Sequence, residues 1–306
     1  IIHMRIVLSV FVIASILYSC KPTTNNVIAE AVQFDSSYKT AVFADADRKE
    51  KIKLAYAVID SIYKKHALDN HFPAISFGLV VDGELVYKNS YGYTDIAKKT
   101  LASTSSLFRI ASMSKSFTCM AMLKLRDEGK LNLDDPAYLY IPELKNLKYP
   151  TADAPVITIR HLMTHGAGLP EDNPWGDRQL ADTDKDLMEF IGKQISFSNP
   201  PGIAYEYSNL GFALQGKIIS KVSGMRYQDY IKKNILDPLG MKTTTYDFGD
   251  VTPDKLAHGY RWLNEQWNEE ILLHDTKDGS WGAMGAMITS IDEFANYMAF
   301  HMSAWP

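Results

Sequence analysis

Two short stretches rich in apolar residues stand on either side of the dipeptide Asp82-Gly83. The first covers residues 75 to 81 and the second covers residues 85 to 91, where apolar and polar residues alternate. Alternation with a period of two is typical of a strand that buries one face, and Asp-Gly favours a two-residue turn between antiparallel strands. The pattern therefore predicts a β-hairpin over residues 75 to 91.

Longer apolar segments follow the hairpin, and glycine and proline residues separate them. Their spacing predicts helices over residues 112 to 128, 184 to 194, 209 to 222, 227 to 236 and 291 to 301. A further amphipathic helix is expected before the hairpin, with apolar residues at positions 52, 54, 58, 59 and 62. Ser290 and Glu293 form a capping-box pattern at the start of the last predicted helix. Helices and an antiparallel hairpin in one chain predict an α/β (α+β) fold.

The amino end has the organisation of a secretory signal. Residues 4 to 20, MRIVLSVFVIASILYSC, begin with a cationic residue and continue with a short apolar run. This run, from residue 6 to residue 18, is too short to span a bilayer as a helix, so it favours a signal peptide. We expect the signal peptide to cover residues 1 to 19 and the protein to be exported.

The end of this signal resembles a bacterial lipobox, in which a cysteine is lipidated and becomes the new N-terminus. The matching residues are Leu17, Tyr18, Ser19 and Cys20. The alternative is an ordinary signal peptide followed by an incidental cysteine. The lipobox predicts a lipoprotein on the bacterial cell envelope, in the periplasm or outer membrane, held to the membrane by the lipid on Cys20. A polar tether is then expected over residues 20 to 47 and a folded domain over residues 48 to 306.

Composition limits the class of protein. Of the 306 residues, 46% are hydrophobic and 22% are charged, and the formal net charge is -4, which is typical of an ordinary globular chain. No basic tract in the sequence predicts nucleic-acid binding. If Cys20 carries a lipid, Cys119 has no intrachain partner for a disulfide, so we predict that Cys119 is a small core residue.

Ser112 and Lys115 stand three residues apart at the start of a predicted apolar helix, and this spacing can activate a serine. Side chains at i and i+3 of a helix lie roughly 5–6 Å apart at Cβ, so an amine can reach the neighbouring hydroxyl. The same Ser-x-x-Lys spacing also begins at Ser36 and at Ser61, where the surroundings predict solvated positions. The alternative for Ser112 is an N-cap serine followed by a surface lysine.

A second polar pair, Tyr207 and Asn209, stands at the start of another predicted apolar helix. The same Tyr-x-Asn triplet begins at Tyr87, but that copy lies within the alternating strand and is predicted to be structural. The segments FRIASMSKSFTCMAMLKL, YEYSNLGFALQGKII, ITIRHLMTHGAGLP and NILDPLGM, in this order along the chain, together resemble the serine β-lactamase superfamily. The likeness is greatest to its class C and penicillin-binding-protein-like esterase branch, and it extends from about Phe72 to the last residue.

The resemblance implies a β-lactamase/transpeptidase-like fold and a set of catalytic roles that need no cofactor. Ser112 would attack the substrate carbonyl and form an acyl-enzyme, and its backbone N–H would supply half of an oxyanion hole. Lys115 and Tyr207 would manage the serine proton, and either could be the working base. Asn209 would hold the substrate amide or the lysine. Esters, D-amino-acid peptides and β-lactams are all opened by this chemistry, so we expect a small-molecule or peptidoglycan-type substrate.

The family also has a Lys-Thr-Gly or His-x-Gly element on a strand beyond its glycine-rich segment. Here that segment is GAMGAMITS, residues 282 to 290, and no such element follows it in this sequence. The tripeptide at residues 277 to 279, Lys-Asp-Gly, precedes the segment and is interpreted as a loop turn. We therefore expect the sequence to be truncated. In the family an antiparallel sheet is completed by C-terminal strands, with a helical lobe inserted and the active site between them.

Two other functions fit parts of the sequence. His161 and His165 are spaced i, i+4 on a predicted short helix, as in zinc hydrolases, although Leu162 stands where the H-E-x-x-H motif needs its glutamate. The missing third element also permits a non-catalytic peptidoglycan- or ligand-binding module on the same fold, because a fold alone does not grant activity. We expect no metal site and favour the serine hydrolase.

Overall fold

The computed structural model of the chain describes residues 45–173, 175–270 and 279–303. The predicted signal peptide, Cys20 and most of the predicted tether therefore lie outside the described residues, as do the first two residues of the tripeptide 277 to 279. The described part is a mixed α/β structure with antiparallel sheets, which confirms the predicted fold class.

The predicted hairpin is present and forms most of the largest sheet. Strands β1 (Ala74–Val81) and β2 (Glu84–Asp95) pair antiparallel, and a short β3 (Thr100–Leu101) pairs with β2. Among the described residues the order is β1-β2-β3. Asp82 and Gly83 have φ angles of 54° and 75°, the left-handed values that a type I′ turn requires at both central positions.

Four further strands form two small antiparallel pairs. They are β4 (Phe108–Arg109), β5 (Gly259–Leu263), β6 (Gln266–Glu270) and β7 (Ile288–Thr289). β5 pairs with β6 as a hairpin, and β4 pairs with β7. The second pair matters for the site, because it joins the segment that precedes Ser112 to the end of the glycine-rich segment.

The predicted helices are present, with shifts at some of their ends. The helices are α1 (Arg48–Lys53), α2 (Tyr56–Asp69), α3 (Ser114–Asp127), α4 (Ile159–Met163), α5 (Asp184–Gly192), α6 (Asn209–Ser223), α7 (Tyr227–Ile231) and α8 (Ile291–Ser303). The predicted helix from 112 to 128 begins as a 3₁₀ turn and becomes α-helical only at Ser114. The predicted helix from 227 to 236 is α7 followed by a π-helical turn over its last five residues.

Helix α6 lies at the centre of the core. Ten of its fifteen residues are buried, so it is covered on nearly every side, as a helix of such apolar composition requires. It packs against α3, α4, α7 and a 3₁₀ turn at residues 280 to 284, whereas α8 packs against β1 and β2. Helices α3 to α7 all fall between β4 and β7 in the sequence. No helix among the described residues has both the length and the apolar composition that crossing a membrane needs.

The predicted capping box at the start of α8 is only half formed. Ser290 Oγ accepts a hydrogen bond from the backbone N–H of Glu293 at 3.3 Å, as predicted. The Glu293 carboxylate instead accepts from the backbone N–H groups of Thr243 and Thr244, at 2.9 Å and 2.8 Å. The Glu293 carboxylate therefore does not complete the cap of α8 and instead connects this helix to the loop at residues 243 and 244.

Candidate active site

Ser112 lies in a tight 3₁₀ turn between β4 and α3. Ala111 has a φ of 45°, a left-handed value that is uncommon for a residue with a Cβ. The chain before the turn is fixed by its pairing with β7 and by a hydrogen bond from Ile110 N–H to the Met287 carbonyl at 3.0 Å. Ser112 itself is exposed, so a substrate can reach its hydroxyl.

Lys115 lies in the first turn of α3 and is buried, with 7% of its surface exposed. Its Nζ donates to Ser112 Oγ at 3.1 Å and to Asn209 Oδ1 at 2.8 Å. It also donates to the Met284 carbonyl at 2.6 Å. These three acceptors match the three hydrogens of an ammonium group, and together they offset the cost of burying its charge.

Tyr207 completes the contact with the serine. Its hydroxyl lies 2.7 Å from Ser112 Oγ, and its ring centroid lies 4.9 Å from the Lys115 Nζ, within the range of a cation–π interaction. The sequence separates these residues from Asn209 and from one another by up to 97 positions (209 minus 112). The structure brings all four sequence-predicted side chains together, with an alcohol, an amine and a phenol in hydrogen-bond reach.

The start of α6 is held by two side chains that accept its first backbone N–H groups. The Asp172 carboxylate accepts from Asn209 N at 2.6 Å and from Leu210 N at 2.8 Å. Ser208 Oγ accepts from Gly211 N at 3.3 Å. Burial raises the pKa of Asp172, and this effect outweighs the opposing effect of the two N–H groups. Asp172 therefore fixes the helix end that carries Asn209.

The loop after Asp172 packs directly on Asn209. Gly176 N–H donates to the Asp172 carbonyl at 2.6 Å, which folds the loop back over the start of α6. A Cβ added at Gly176 would lie only 2.8 Å from the Cβ of Asn209. The backbone can therefore approach the Asn209 side chain this closely only because residue 176 is a glycine.

The structure corrects the prediction that His161 and His165 share a short helix. Helix α4 ends at Met163, and His165 lies beyond it with a left-handed φ of 56°. Each Nδ1 accepts a hydrogen bond from a backbone N–H, that of Thr158 for His161 and that of Ser208 for His165. Across the described ranges, no group of three or more His, Cys, Asp or Glu side chains is arranged to hold a metal ion.

Other sequence-predicted residues lie away from this site. Ser61 is exposed on α2, and Ser36 lies outside the described residues. Tyr87 lies within β2, as the structural interpretation of its triplet predicts. Burial raises the pKa of the Cys119 thiol to about 11, so this cysteine is a poor nucleophile at neutral pH.

Three contributors to the site were not identified as such from the sequence: the Asp172 carboxylate, the Met284 carbonyl and the ring of His165 against Tyr207. Asp172 precedes Asn209 by 37 residues in a loop without periodicity, so no local pattern connects them. Met284 contributes its backbone carbonyl. Every residue type has this group, so the residue type does not indicate the role. The spacing of His165 from His161 favours a different chemistry, that of a zinc site.

Comparison with known proteins identifies a family and several relatives. Residues 44–304 match the family model described as Beta-lactamase. The chain is 32% identical over 265 residues to Beta-lactamase-like protein 2 of Dictyostelium discoideum, and this alignment covers 83% of this chain and 47% of that protein. It is 31% identical over 252 residues to Protein flp of Staphylococcus aureus (strain MW2), and this alignment covers 80% of this chain and 48% of that protein. The chain thus spans about half the length of these curated relatives.

A solved structure has the same fold. It is the octameric penicillin-binding protein homologue from Pyrococcus abyssi, which superposes with a TM-score of 0.70 at 28% sequence identity, covering 82% of this chain and 57% of that one. The family model covers far more than half of the chain, and the fold and the sequence relatives point the same way. The chain therefore belongs to the β-lactamase family of serine hydrolases.

Proposed function

We propose that this chain hydrolyses an ester, a D-amino-acid peptide or a β-lactam amide through an acyl-enzyme on Ser112. The observation that carries the proposal is the position of Ser112 Oγ, which lies 3.1 Å from Lys115 Nζ and 2.7 Å from the Tyr207 hydroxyl. An exposed hydroxyl between a buried amine and a phenol is the arrangement of an activated nucleophile.

Tyr207 is the group that takes the serine proton in this proposal. In this proposal Lys115 is an ammonium that donates to Ser112 Oγ, Asn209 Oδ1 and the Met284 carbonyl, so it has no lone pair left to take the serine proton. Tyr207 reacts as its phenolate, beside the Lys115 ammonium. As Ser112 Oγ bonds to the carbonyl carbon, its proton moves to the phenolate oxygen, which becomes a neutral hydroxyl. The tetrahedral intermediate then re-forms the carbonyl, the bond to the leaving alcohol or amine breaks, and the leaving group takes the proton from Tyr207, which returns to the phenolate. Water then repeats these steps on the acyl-enzyme and frees Ser112.

Asn209 has a divided role in the proposal. Its Oδ1 accepts from Lys115, so this oxygen serves to orient the ammonium. Its Nδ2 lies 3.5 Å from Asn173 Oδ1, a long contact that a substrate carbonyl can replace. The backbone N–H of Ser112 is proposed as one donor to the developing oxyanion. An ester or D-peptide substrate is preferred over a β-lactam antibiotic by analogy with the breadth of the family.

Export and lipid anchoring complete the proposed function. The support is the signal-like run before residue 19 and the lipobox-like tetrapeptide that ends at Cys20. A hydrolase tethered to the cell envelope by a lipid would meet peptidoglycan-type substrates there. The membrane partner in this proposal is reached through the lipid on Cys20.

Covalent labelling tests the proposed nucleophile. A fluorescent fluorophosphonate and a fluorescent penicillin are incubated with the purified chain, and the labelled protein is measured on a denaturing gel. We expect labelling by at least one probe and its complete loss in Ser112→Ala. The matched control is Ser61→Ala, which removes the exposed serine of another Ser-x-x-Lys tetrapeptide, on α2, and should label like the wild type.

The rival function, a non-catalytic binding module, gives a different result. It predicts that neither probe forms a covalent bond, while the chain still binds isolated peptidoglycan or a penicillin reversibly. Labelling that persists in Ser112→Ala would also contradict the proposal, because the acyl group would then reside elsewhere.

A further inference from the structure

The segment that carries Tyr207 has no regular secondary structure to hold it. Residues 204 to 208 lie between a turn and the start of α6, and neighbouring Tyr205 is 70% exposed. The hydroxyl of Tyr207 nevertheless has to stay at 2.7 Å from Ser112 Oγ to exchange a proton with it. Some neighbouring group must therefore fix this segment.

His165 contacts three consecutive residues of this segment. Its carbonyl accepts a hydrogen bond from Glu206 N–H at 2.8 Å, and its ring Nδ1 accepts from Ser208 N–H at 3.0 Å. Between these two bonds, the imidazole stacks on the Tyr207 ring with a centroid distance of 4.6 Å and an interplanar angle of 27°. The backbone on both sides of Tyr207 and the phenol ring itself are thus all held by one residue.

The contacts require a neutral imidazole with its proton on Nε2. Nδ1 accepts the Ser208 N–H, and a protonated ring would present a second N–H to that donor. Lys115, Tyr205, Tyr207 and Phe212 surround the ring. Burial and, secondarily, the Lys115 charge lower the pKa of His165 to about 4, so the acceptor persists at neutral pH.

The backbone of His165 also departs from the ordinary. Its φ of 56° lies in the left-handed region, which is unfavourable for a residue with a Cβ. Histidine and asparagine are among the residues that tolerate this region best. His165 lies two positions past the last residue of α4, and Gly166 N–H donates to the His161 carbonyl at 2.8 Å, so the left-handed conformation ends the helix and turns the His165 carbonyl and ring toward residues 206 to 208.

We propose that His165 is a positioning residue for Tyr207, holding the phenol against Ser112 through one stacking contact and two backbone hydrogen bonds. The proposal rests on the proposed function, in which Tyr207 takes the serine proton. His165 acts through Tyr207 and exchanges no proton itself, so its removal should slow acylation without weakening the binding of substrate.

Two variants remove the side-chain contacts of His165 to different extents. His165→Asn keeps an acceptor near the Nδ1 position and tolerates the left-handed backbone, but it loses the stacked ring. His165→Ala loses both side-chain contacts. With p-nitrophenyl acetate as the probe ester, we expect the acylation rate per labelled site to fall about 10-fold in the first variant and about 100-fold in the second, with KM unchanged, because small displacements of a reacting group cost rates of this order. Active sites are counted by covalent labelling.

A control and a double variant separate positioning from mere structure. His161→Asn removes a partly buried histidine on α4, four positions before His165, whose Nδ1 also accepts a backbone N–H, and it should keep the wild-type rate per site. If His165 acts through the Tyr207 hydroxyl, then His165→Asn should change the rate of Tyr207→Phe by less than about twofold, because the two effects are not additive.

The inference is wrong if His165→Asn folds and keeps the wild-type rate per labelled site, or if only the number of labelled sites falls. It is equally wrong if the two substitutions multiply their effects in the double variant. These outcomes differ from failure of the proposed function, which appears as labelling that does not depend on Ser112.

Discussion

Lys115 is a buried amine whose Nζ contacts three oxygen atoms. Burying a charge destabilises the fold unless the charge is paired or hydrogen-bonded. Removing one partner from such a site lowers the stability of the fold by more than the complete set of contacts adds to it. Asn209 Oδ1 and the Met284 carbonyl are therefore as much a part of the amine's environment as Ser112 is. The lysine and the asparagine behave as one unit.

Two residues with left-handed backbones flank the candidate nucleophile and its proton acceptor. Ala111 has a φ of 45° and precedes Ser112, and His165 has a φ of 56° and stacks on Tyr207. Strained residues of this kind concentrate at functional sites, where the surrounding hydrogen bonds keep them in place. The strain at Ala111 sets the sharp turn that leaves Ser112 exposed at the start of α3.

Removal of the Tyr207 hydroxyl should slow acylation by about 10²–10⁴-fold. Tyr207→Phe keeps the ring that stacks on His165 but removes the atom that takes the serine proton, and positioned proton transfer contributes rate factors of this size. The single-turnover rate of acylation by p-nitrophenyl acetate measures the effect, and the thermal unfolding midpoint should stay close to that of the wild type.

Tyr205→Phe is the matched control for this substitution. Tyr205 is two residues away, is 70% exposed and forms a T-shaped ring contact with His165, but no hydrogen bond joins its hydroxyl to Ser112 among the described residues. Loss of the Tyr205 hydroxyl should change the acylation rate by less than about twofold relative to the wild type, which is much less than the loss expected when a general base is removed. A Tyr207→Phe enzyme with an undiminished rate would instead favour Lys115 as the base.

At the scale of elements, the starts of α3 and α6 converge on the site. The first turn of an α-helix has unpaired N–H groups, and at α6 two side chains accept hydrogen bonds from three of them, namely Asp172 from Asn209 and Leu210, and Ser208 from Gly211. Asp172 comes from the loop before α5, so this cap is a tertiary contact. The position of Asn209 therefore depends on a carboxylate from another part of the chain.

Truncation of Asp172 should both destabilise the fold and slow the reaction. Asp172→Ala leaves two backbone N–H groups at the start of α6 without their acceptor, and the loss of a capping side chain costs about 1–2 kcal/mol. The midpoint of urea unfolding measures the stability, and acylation per labelled site measures the displacement of Asn209.

Glu171→Ala is the companion variant. Glu171 carries the same charge one residue earlier but is exposed, and its side chain only accepts from Asn173 N–H within its own turn. Its free energy of unfolding should stay within about 0.5 kcal/mol of the wild-type value. If both substitutions lowered the free energy of unfolding equally, the negative charge of this loop would explain the loss and the cap at α6 would not.

At the scale of the whole molecule, the site is assembled by packing α3 against the glycine-rich segment. Thr118 Oγ1 donates to the Ala283 carbonyl at 2.7 Å, and Ser114 Oγ accepts from Met287 N–H at 3.1 Å. The same segment supplies the carbonyl of Met284 to Lys115. Residues more than 160 positions apart therefore fix the helix that carries the candidate nucleophile and the amine.

Cys20 decides where the whole molecule resides in the proposed function. In bacterial cells that express the full chain, Cys20→Ser should abolish incorporation of a radiolabelled fatty acid and move the protein from the membrane fraction to the soluble fraction, because covalent lipid anchors a chain to a bilayer. Cys119→Ser is the control, since it removes the other cysteine and should keep both label and location. Undiminished lipid labelling in Cys20→Ser would contradict the anchor.

The sequence by itself determined the elements and the four predicted site residues. The hairpin turn at Asp82-Gly83, the apolar helices and the spacing of Ser112 and Lys115 are all local patterns, and local patterns follow from backbone geometry that acts over a few residues. Ser112 and Tyr207 could be paired only through the resemblance to a known family, because no local rule connects segments 95 residues apart (207 minus 112).

Only the tertiary structure decided how those residues are held. The Asp172 cap, the Met284 carbonyl and the stacking of His165 on Tyr207 each join atoms from separate segments, and the ends of α4 and the use of Glu293 were settled by contacts of the same kind. A buried donor or charge takes whichever acceptor the packed chain brings within about 3 Å. Sequence spacing does not encode that choice, because it is made only when the core closes.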